Sequence, residues 1–142
     1  MSTPTASVVT EAPAATPAAA IAHFEHLLAF ETDCADVKVG LGDPSPDFVL
    51  LDVRSAEAFA AGHIDGATNL PRVEITTDSL DALGDTTFVV YCAGPHCNGA
   101  DKAALRIARL GRPVKKMIGG VTGWLDEGFE LVAGQSRDGG AS

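Results

Sequence analysis

Two kinds of apolar pattern take turns along this chain. Phe48-Val49-Leu50-Leu51-Asp52-Val53 and Phe88-Val89-Val90-Tyr91 are apolar at consecutive positions, as expected of strands buried on both faces of a parallel sheet. The turn cluster Gly42-Asp43-Pro44-Ser45-Pro46 introduces the first of them. Residues 114–118 read as a third strand, and residues 29–31 and 68–70 as short ones, the latter stopped by Pro71. Between these runs the spacing becomes helical. Ile21, Phe24, Leu27 and Leu28 share one face of a helix over 17–28, with Thr16 as N-cap and Pro17 in its first turn. Asp33 caps a short helix through Val37, Ser55 caps one through Ala61 that Gly62 closes, and residues 75–84 form a short helix and turn. The helix over 99–110 carries Ala100, Ala103, Ala104, Ile107 and Ala108 on one face and Lys102, Arg106 and Arg109 on the other, and Gly111 and Pro113 end it. Gly119-Gly120 leads into a last helix around Trp124, which Trp124 and Phe129 anchor to the core. Strands alternating with helices predict an α/β fold, an open and mainly parallel sheet with helices on both faces.

Composition adds limits to that picture. A length of 142 residues with 46% apolar positions suits a single globular domain with a sizeable core. The first 20 residues hold seven Ala, four Thr and three Pro, with Glu11 the one charged side chain. Such a segment cannot offset its ordering entropy, so residues 1–15 are expected to be a disordered tail. The domain is expected over 16–133, including the N-terminal helix as an extension, with a flexible tail over 134–142. Ten Lys and Arg against 19 Asp and Glu leave a net charge of −9, which argues against nucleic acid and anionic membranes as partners. The N-terminus lacks the basic stretch of a signal peptide, and three cysteines are too few for a disulfide framework, so the expected compartment is the cytoplasm.

The candidate chemistry lies where the second buried strand ends, in Cys92-Ala93-Gly94-Pro95-His96-Cys97-Asn98. Ligands of open α/β sheets bind at the carboxyl ends of strands, which is where this order puts the Cys92 thiol. Loop amides and the start of the following helix form a nest for an anion and are expected to favour the thiolate. The alternative is a Cys92 that is only a small buried apolar residue. Cys97 completes a C-x4-C pair, either as a resolving thiol or as a loop-packing residue. His96 either donates to a bound anion or faces water, and Cys92, His96 and Cys97 together lack a fourth ligand for zinc.

Around this loop the chain resembles the rhodanese family. One block is Leu51-Asp52-Val53-Arg54, Glu57, Phe59, Gly62-His63-Ile64-Asp65-Gly66-Ala67 and Asn69-Leu70-Pro71, in which Asp65 stands where the family commonly has proline. The other is the strand ending in Cys92, the Ala-rich helix, and Gly119-Gly120 followed by Trp124. The resemblance implies a sulfurtransferase in which Cys92 takes sulfur from a donor such as thiosulfate and passes it, through a persulfide, to a thiol or cyanide-type acceptor. It implies no metal and no cofactor, with loop amides cradling the transferred sulfur.

The loop departs from the family in two ways: it is about two residues longer, and no residue from 92 to 98 is cationic. The greater length resembles arsenate reductases and dual-specificity phosphatases, but those close the loop with an arginine where this chain has Asn98, which disfavours phosphoryl transfer. The lack of charge predicts poor use of the thiosulfate dianion, unless Lys102 or Arg106 reaches the mouth of the site. Asp52, Arg54 and Glu57 are expected to support the site through an Arg54 ion pair that fixes the following helix and shapes the pocket rim. His63 is expected to be a structural, neutral histidine, and Cys34 an inert one. The rival to the enzyme is a regulatory module of the same family that binds a partner or carries sulfur without turnover.

Overall fold

A computed structural model describes residues 5–135, so the expected tails are covered only from residue 5 and up to residue 135. The elements run in the order α1 (Pro17–Phe30), β1 (Glu31–Thr32), α2 (Cys34–Leu41), β2 (Phe48–Asp52), α3 (Ala56–Ala61) and β3 (Thr68–Asn69). A single 3-10 turn (Arg72–Glu74) follows, and then α4 (Thr77–Ala82), β4 (Thr87–Tyr91), α5 (Gly99–Arg109), β5 (Val114–Met117) and α6 (Gly120–Asp126). The five strands among the described residues form one sheet in the order β1-β5-β4-β2-β3, with every pairing parallel.

The two consecutive apolar runs became the central strands because each supplies side chains to both faces. Leu51, Phe88 and Val90 point to one side, where they pack with Leu80 of α4 and with Ala103 and Ile107 of α5. Leu50, Val89 and Tyr91 point to the other, against Val37 of α2, Phe59 of α3 and Trp124 of α6. Helices therefore cover both faces, as the alternation of elements predicted. Thr16, Asp33 and Ser55 each accept a backbone amide of the helix they precede, which satisfies donors the first turn leaves open.

Three boundaries differ from the expectations. Helix α1 continues through Phe30, so the first strand falls on Glu31–Thr32 rather than 29–31. Helix α2 runs on to Leu41 instead of stopping at Val37, and β5 ends at Met117. The apolar face of α1 forms as spaced but stays largely in solvent: Phe24 is 56% exposed and Leu28 67%. Lys115 holds the end of that helix to the sheet, its Nζ donating to the Leu28 carbonyl at 2.8 Å. No helix among the described residues is long and apolar enough to cross a membrane.

Candidate active site

Strands β2 and β4 lie in register with Asp52 opposite Tyr91, so their carboxyl ends finish side by side and Cys92 follows directly. The loop after Cys92 is curled. The Cys97 amide donates to the Gly94 carbonyl at 3.1 Å, closing a turn with Pro95 at its second position, where proline's fixed φ fits. Helix α6 holds the first half of the loop from the side. The Val121 amide donates to the Cys92 carbonyl and the Thr122 amide to that of Ala93, both at 3.0 Å, and the Thr122 hydroxyl adds a bond to Ala93 at 3.2 Å. This approach is possible because Gly120 has φ +59° and no side chain; a Cβ there would stand 2.5 Å from the Cys92 carbonyl oxygen. Backbone amides of Ala93, Gly94, His96 and Asn98 donate to no group among the described residues.

A cavity of about 160 Å³ opens beside the thiol, walled by Cys92, Gly94, Pro95 and Cys97 of the loop, Ala100 and Asp101 of α5, and residues 116–120. Cys92 is 9% exposed at its base, whereas Cys97 is exposed. The two sulfurs are joined as a disulfide with Cα atoms 6.5 Å apart, inside the range such a bond requires. The Gly99 amide donates to the Cys97 sulfur at 3.4 Å, and a Cβ on Gly99 would come within 2.9 Å of the Cys92 sulfur. A larger cleft of about 290 Å³ lies at the amino ends of β2 and β4, lined by Phe48 and Thr87 among others, and contains no thiol.

One cation does reach the cavity, and sequence reasoning missed it. Lys116 projects from β5, with Nζ 2.8 Å from Asp101 and 3.7 Å from Glu31. The hydrogen bond to Asp101 outweighs the cost of partial burial and holds the ammonium above the usual lysine range. Two carboxylates against one ammonium leave this wall without a positive surplus. Lys102 is elsewhere: it lines a separate cleft with Arg72, Thr76, Arg106 and Arg109, and neither it nor Arg106 lines the cavity beside the thiol. The reason is helical phase, since adjacent residues on α5 differ by about 100° in direction and Asp101 has the cavity side.

Asp52 and Arg54 form the expected ion pair, but not at the rim. Arg54 Nη2 lies 2.6 Å from Asp52 Oδ2, Nε donates to both carboxylate oxygens, and Nη2 also donates to the Gly62 carbonyl at the end of α3. Burial works against the guanidinium, while the hydrogen bond to Asp52 and its charge more than compensate, holding it above its ordinary value. Burial first, and the charge of Asp52 next, push the neighbouring Tyr91 phenol well up, so it stays neutral while its oxygen accepts the Ile64 amide at 3.1 Å. Glu57 is exposed on α3 and lines neither this pair nor the cavity. His63 is 1% exposed, donates from Nδ1 to the Phe59 carbonyl at 2.8 Å and stacks on the Phe59 ring at 3.6 Å, the structural role expected of it.

Cys34 is buried against the Ile118 carbonyl, its sulfur 3.5 Å away. Burial, with the charges of Asp33 and Glu127, pushes its thiol up to about 11. At pH 8 about one Cys34 in a thousand is then thiolate. In the reduced protein, brief iodoacetamide treatment at pH 8 should label Cys92 and Cys97 well ahead of Cys34, as read by peptide mapping, and dominant labelling of Cys34 contradicts this. Because the folded chain keeps a proton that the unfolded chain releases, this thiol's contribution to stability is present below about pH 9 and is lost as the pH rises through about 11.

Comparison with known proteins agrees with this geometry. The sequence profile of the rhodanese-like domain matches residues 33–127. The chain is 39% identical over 89 residues to the HTH-type transcriptional regulator Rv0324 of Mycobacterium tuberculosis, covering 62% of this chain and 39% of that protein. It thus spans about two fifths of the length of the curated relatives it matches. Among solved structures, the BH2092 protein of Bacillus halodurans superposes with a TM-score of 0.79 at 37% identity, covering 83% of this chain and 87% of that one. Thiosulfate sulfurtransferase of Pseudomonas aeruginosa superposes at 0.64 and 27% identity, over 75% of this chain and 20% of that one. With its profile match running from α2 through α6 and its thiol at the end of the central strand, the chain belongs to the rhodanese-like domain family.

Proposed function

We propose that the protein is a sulfurtransferase that carries sulfane sulfur on Cys92. The observation that carries this reading is the position of the Cys92 sulfur, at the base of a small cavity between the carboxyl end of β4 and the start of α5. In the reduced protein the Cys92 thiolate attacks the outer sulfur of a donor. The bond to the rest of the donor breaks, that group leaves with the electron pair, and Cys92 becomes a persulfide. A thiol or cyanide-type acceptor then attacks the outer sulfur and Cys92 departs as thiolate. Loop amides and the first turn of α5 stabilise the negative charge at each stage, without a metal or cofactor in the sequence of steps. Cytoplasm is the proposed compartment, on the low cysteine count.

Charge decides between donors. The loop is uncharged, and Lys116 is already matched by Asp101 and Glu31, so the dianion thiosulfate gains little attraction here. A less charged alkyl persulfide should be used with a kcat/KM roughly tenfold higher or more. Steady-state comparison of the two donors tests this, with Cys92→Ser expected to abolish turnover of both. Saturation by low-micromolar thiosulfate contradicts the charge argument, and turnover by Cys92→Ser contradicts the proposed nucleophile.

A second reading, a regulatory module that senses or holds sulfur without turnover, is favoured by the similarity to the mycobacterial regulator. Loading of Cys92 without catalytic turnover on any donor distinguishes it.

A further inference from the structure

The exposed loop cysteine has no part in simple sulfur transfer, yet its placement is specific. Five residues of extended chain span about 17 Å. Here the Gly94–Cys97 turn folds the loop back so that Cys92 and Cys97 have Cα atoms 6.5 Å apart and their sulfurs bond. Gly99 leaves the space both sulfurs occupy, since a Cβ there would meet each within 3.3 Å. Cys97 is exposed while Cys92 is buried. One sulfur is thus shielded at the base of the cavity, and the other faces solvent on a segment without the α6 hydrogen bonds that hold residues 92 and 93.

We propose that this loop is a two-thiol sulfane-sulfur reductase site, in which Cys97 discharges the Cys92 persulfide as hydrosulfide. The inference rests on the sulfur-transfer reading above and adds a second product to it. The Cys97 thiolate attacks the inner sulfur, Sγ of Cys92. The Cys92–Cys97 bond forms, the bond from Cys92 Sγ to the outer sulfur breaks, and HS⁻ leaves with the electron pair. The two thiols are oxidised by two electrons, and the sulfane sulfur supplied by the donor is reduced by the same two. The closeness of the two cysteines in the curled loop is the geometry that step requires. Resetting it takes an external dithiol. One thiolate of the dithiol attacks the exposed Cys97 sulfur, Cys92 leaves as thiolate, and the second thiol of the reductant then releases Cys97 while the reductant becomes a disulfide. Exposure of Cys97 and burial of Cys92 give this order of attack, which frees the nucleophile first.

The test uses the full chain, fully reduced, loaded with one equivalent of glutathione persulfide and desalted. Wild type should release one hydrosulfide per chain and become lighter than the reduced protein by two hydrogens in intact mass. Cys97→Ser should instead hold the mass of one added sulfur, with a lifetime at least about tenfold longer before any acceptor is added. Cys34→Ser, which removes the thiol outside the site, should release hydrosulfide as wild type does. Equal persulfide decay in wild type and Cys97→Ser overturns the proposal while leaving the Cys92 persulfide standing, and loss of release in Cys34→Ser overturns the pairing. No hydrosulfide from wild type together with no added sulfur on Cys97→Ser overturns the sulfur-transfer reading itself, and this proposal with it.

Discussion

Arg54→Ala is expected to destabilise the domain by about 3–5 kcal/mol, because it strands a carboxylate inside the fold. Asp52 has no exposed surface, and Arg54 supplies hydrogen bonds to both of its carboxylate oxygens. The same guanidinium ties the Gly62 carbonyl at the end of α3 to the end of β2, and Asn69 completes the junction by donating to the carbonyls of Asp52 and Arg54. Solvent cannot replace these partners without opening the layer between β2 and α3. Urea unfolding of wild type and Arg54→Ala measures the loss. Arg54→Lys should fall between them, since it keeps the charge but loses the forked geometry. The double variant Asp52→Asn/Arg54→Ala should lose less than the sum of the single changes. A loss below about 1 kcal/mol for Arg54→Ala would mean that the pair behaves as a solvent-exposed one.

Gly120→Ala should be nearly as damaging and should strike the site as well. The added methyl would stand 2.5 Å from the Cys92 carbonyl oxygen and 2.8 Å from the Gly94 nitrogen, both backbone atoms that cannot rotate away. Its φ of +59° adds strain for any residue with a side chain. Together these should cost about 2–4 kcal/mol. They should also push the loop off α6, lengthening the bonds from Val121 and Thr122 that hold residues 92 and 93 in place. Sulfur loading should therefore drop even at temperatures where the variant stays folded. Gly84→Ala is the control, since φ there is +102° but nothing lies within 4 Å of the added methyl. It should share the backbone strain and leave loading near wild type. Equal loading in Gly120→Ala and wild type would show that the loop does not depend on α6.

Much of this arrangement could be read from the chain because local chemistry and tertiary position agree. The consecutive apolar runs of β2 and β4 need two covered faces, so they belong at the sheet centre, and Cys92 is carried to its carboxyl edge by chain order alone. Strand β1 was displaced because a two-residue edge strand leaves no periodic trace, and the helix before it continues through Phe30. Lys116 was not legible as a site residue. It lies 24 positions beyond Cys92 and reaches the cavity only because β5 pairs beside β4, an adjacency that no local pattern encodes. Lys102 shows the opposite case: close to Cys92 in sequence, it lines a different cleft because of the pitch of α5. The Asp52–Arg54 pair was legible as an ion pair, but its depth depended on Gly62 and Asn69 closing over it.

The central claim is that sulfur is carried on Cys92. Its most direct measurement is the intact mass of the reduced protein after brief exposure to an alkyl persulfide, made on Cys97→Ser so that the adduct is not discharged, with peptide mapping to locate it. The account predicts a gain of one sulfur atom, confined to the peptide containing Cys92 and absent when Cys92→Ser is added to the same background. No gain, or a gain that survives Cys92→Ser, would contradict it.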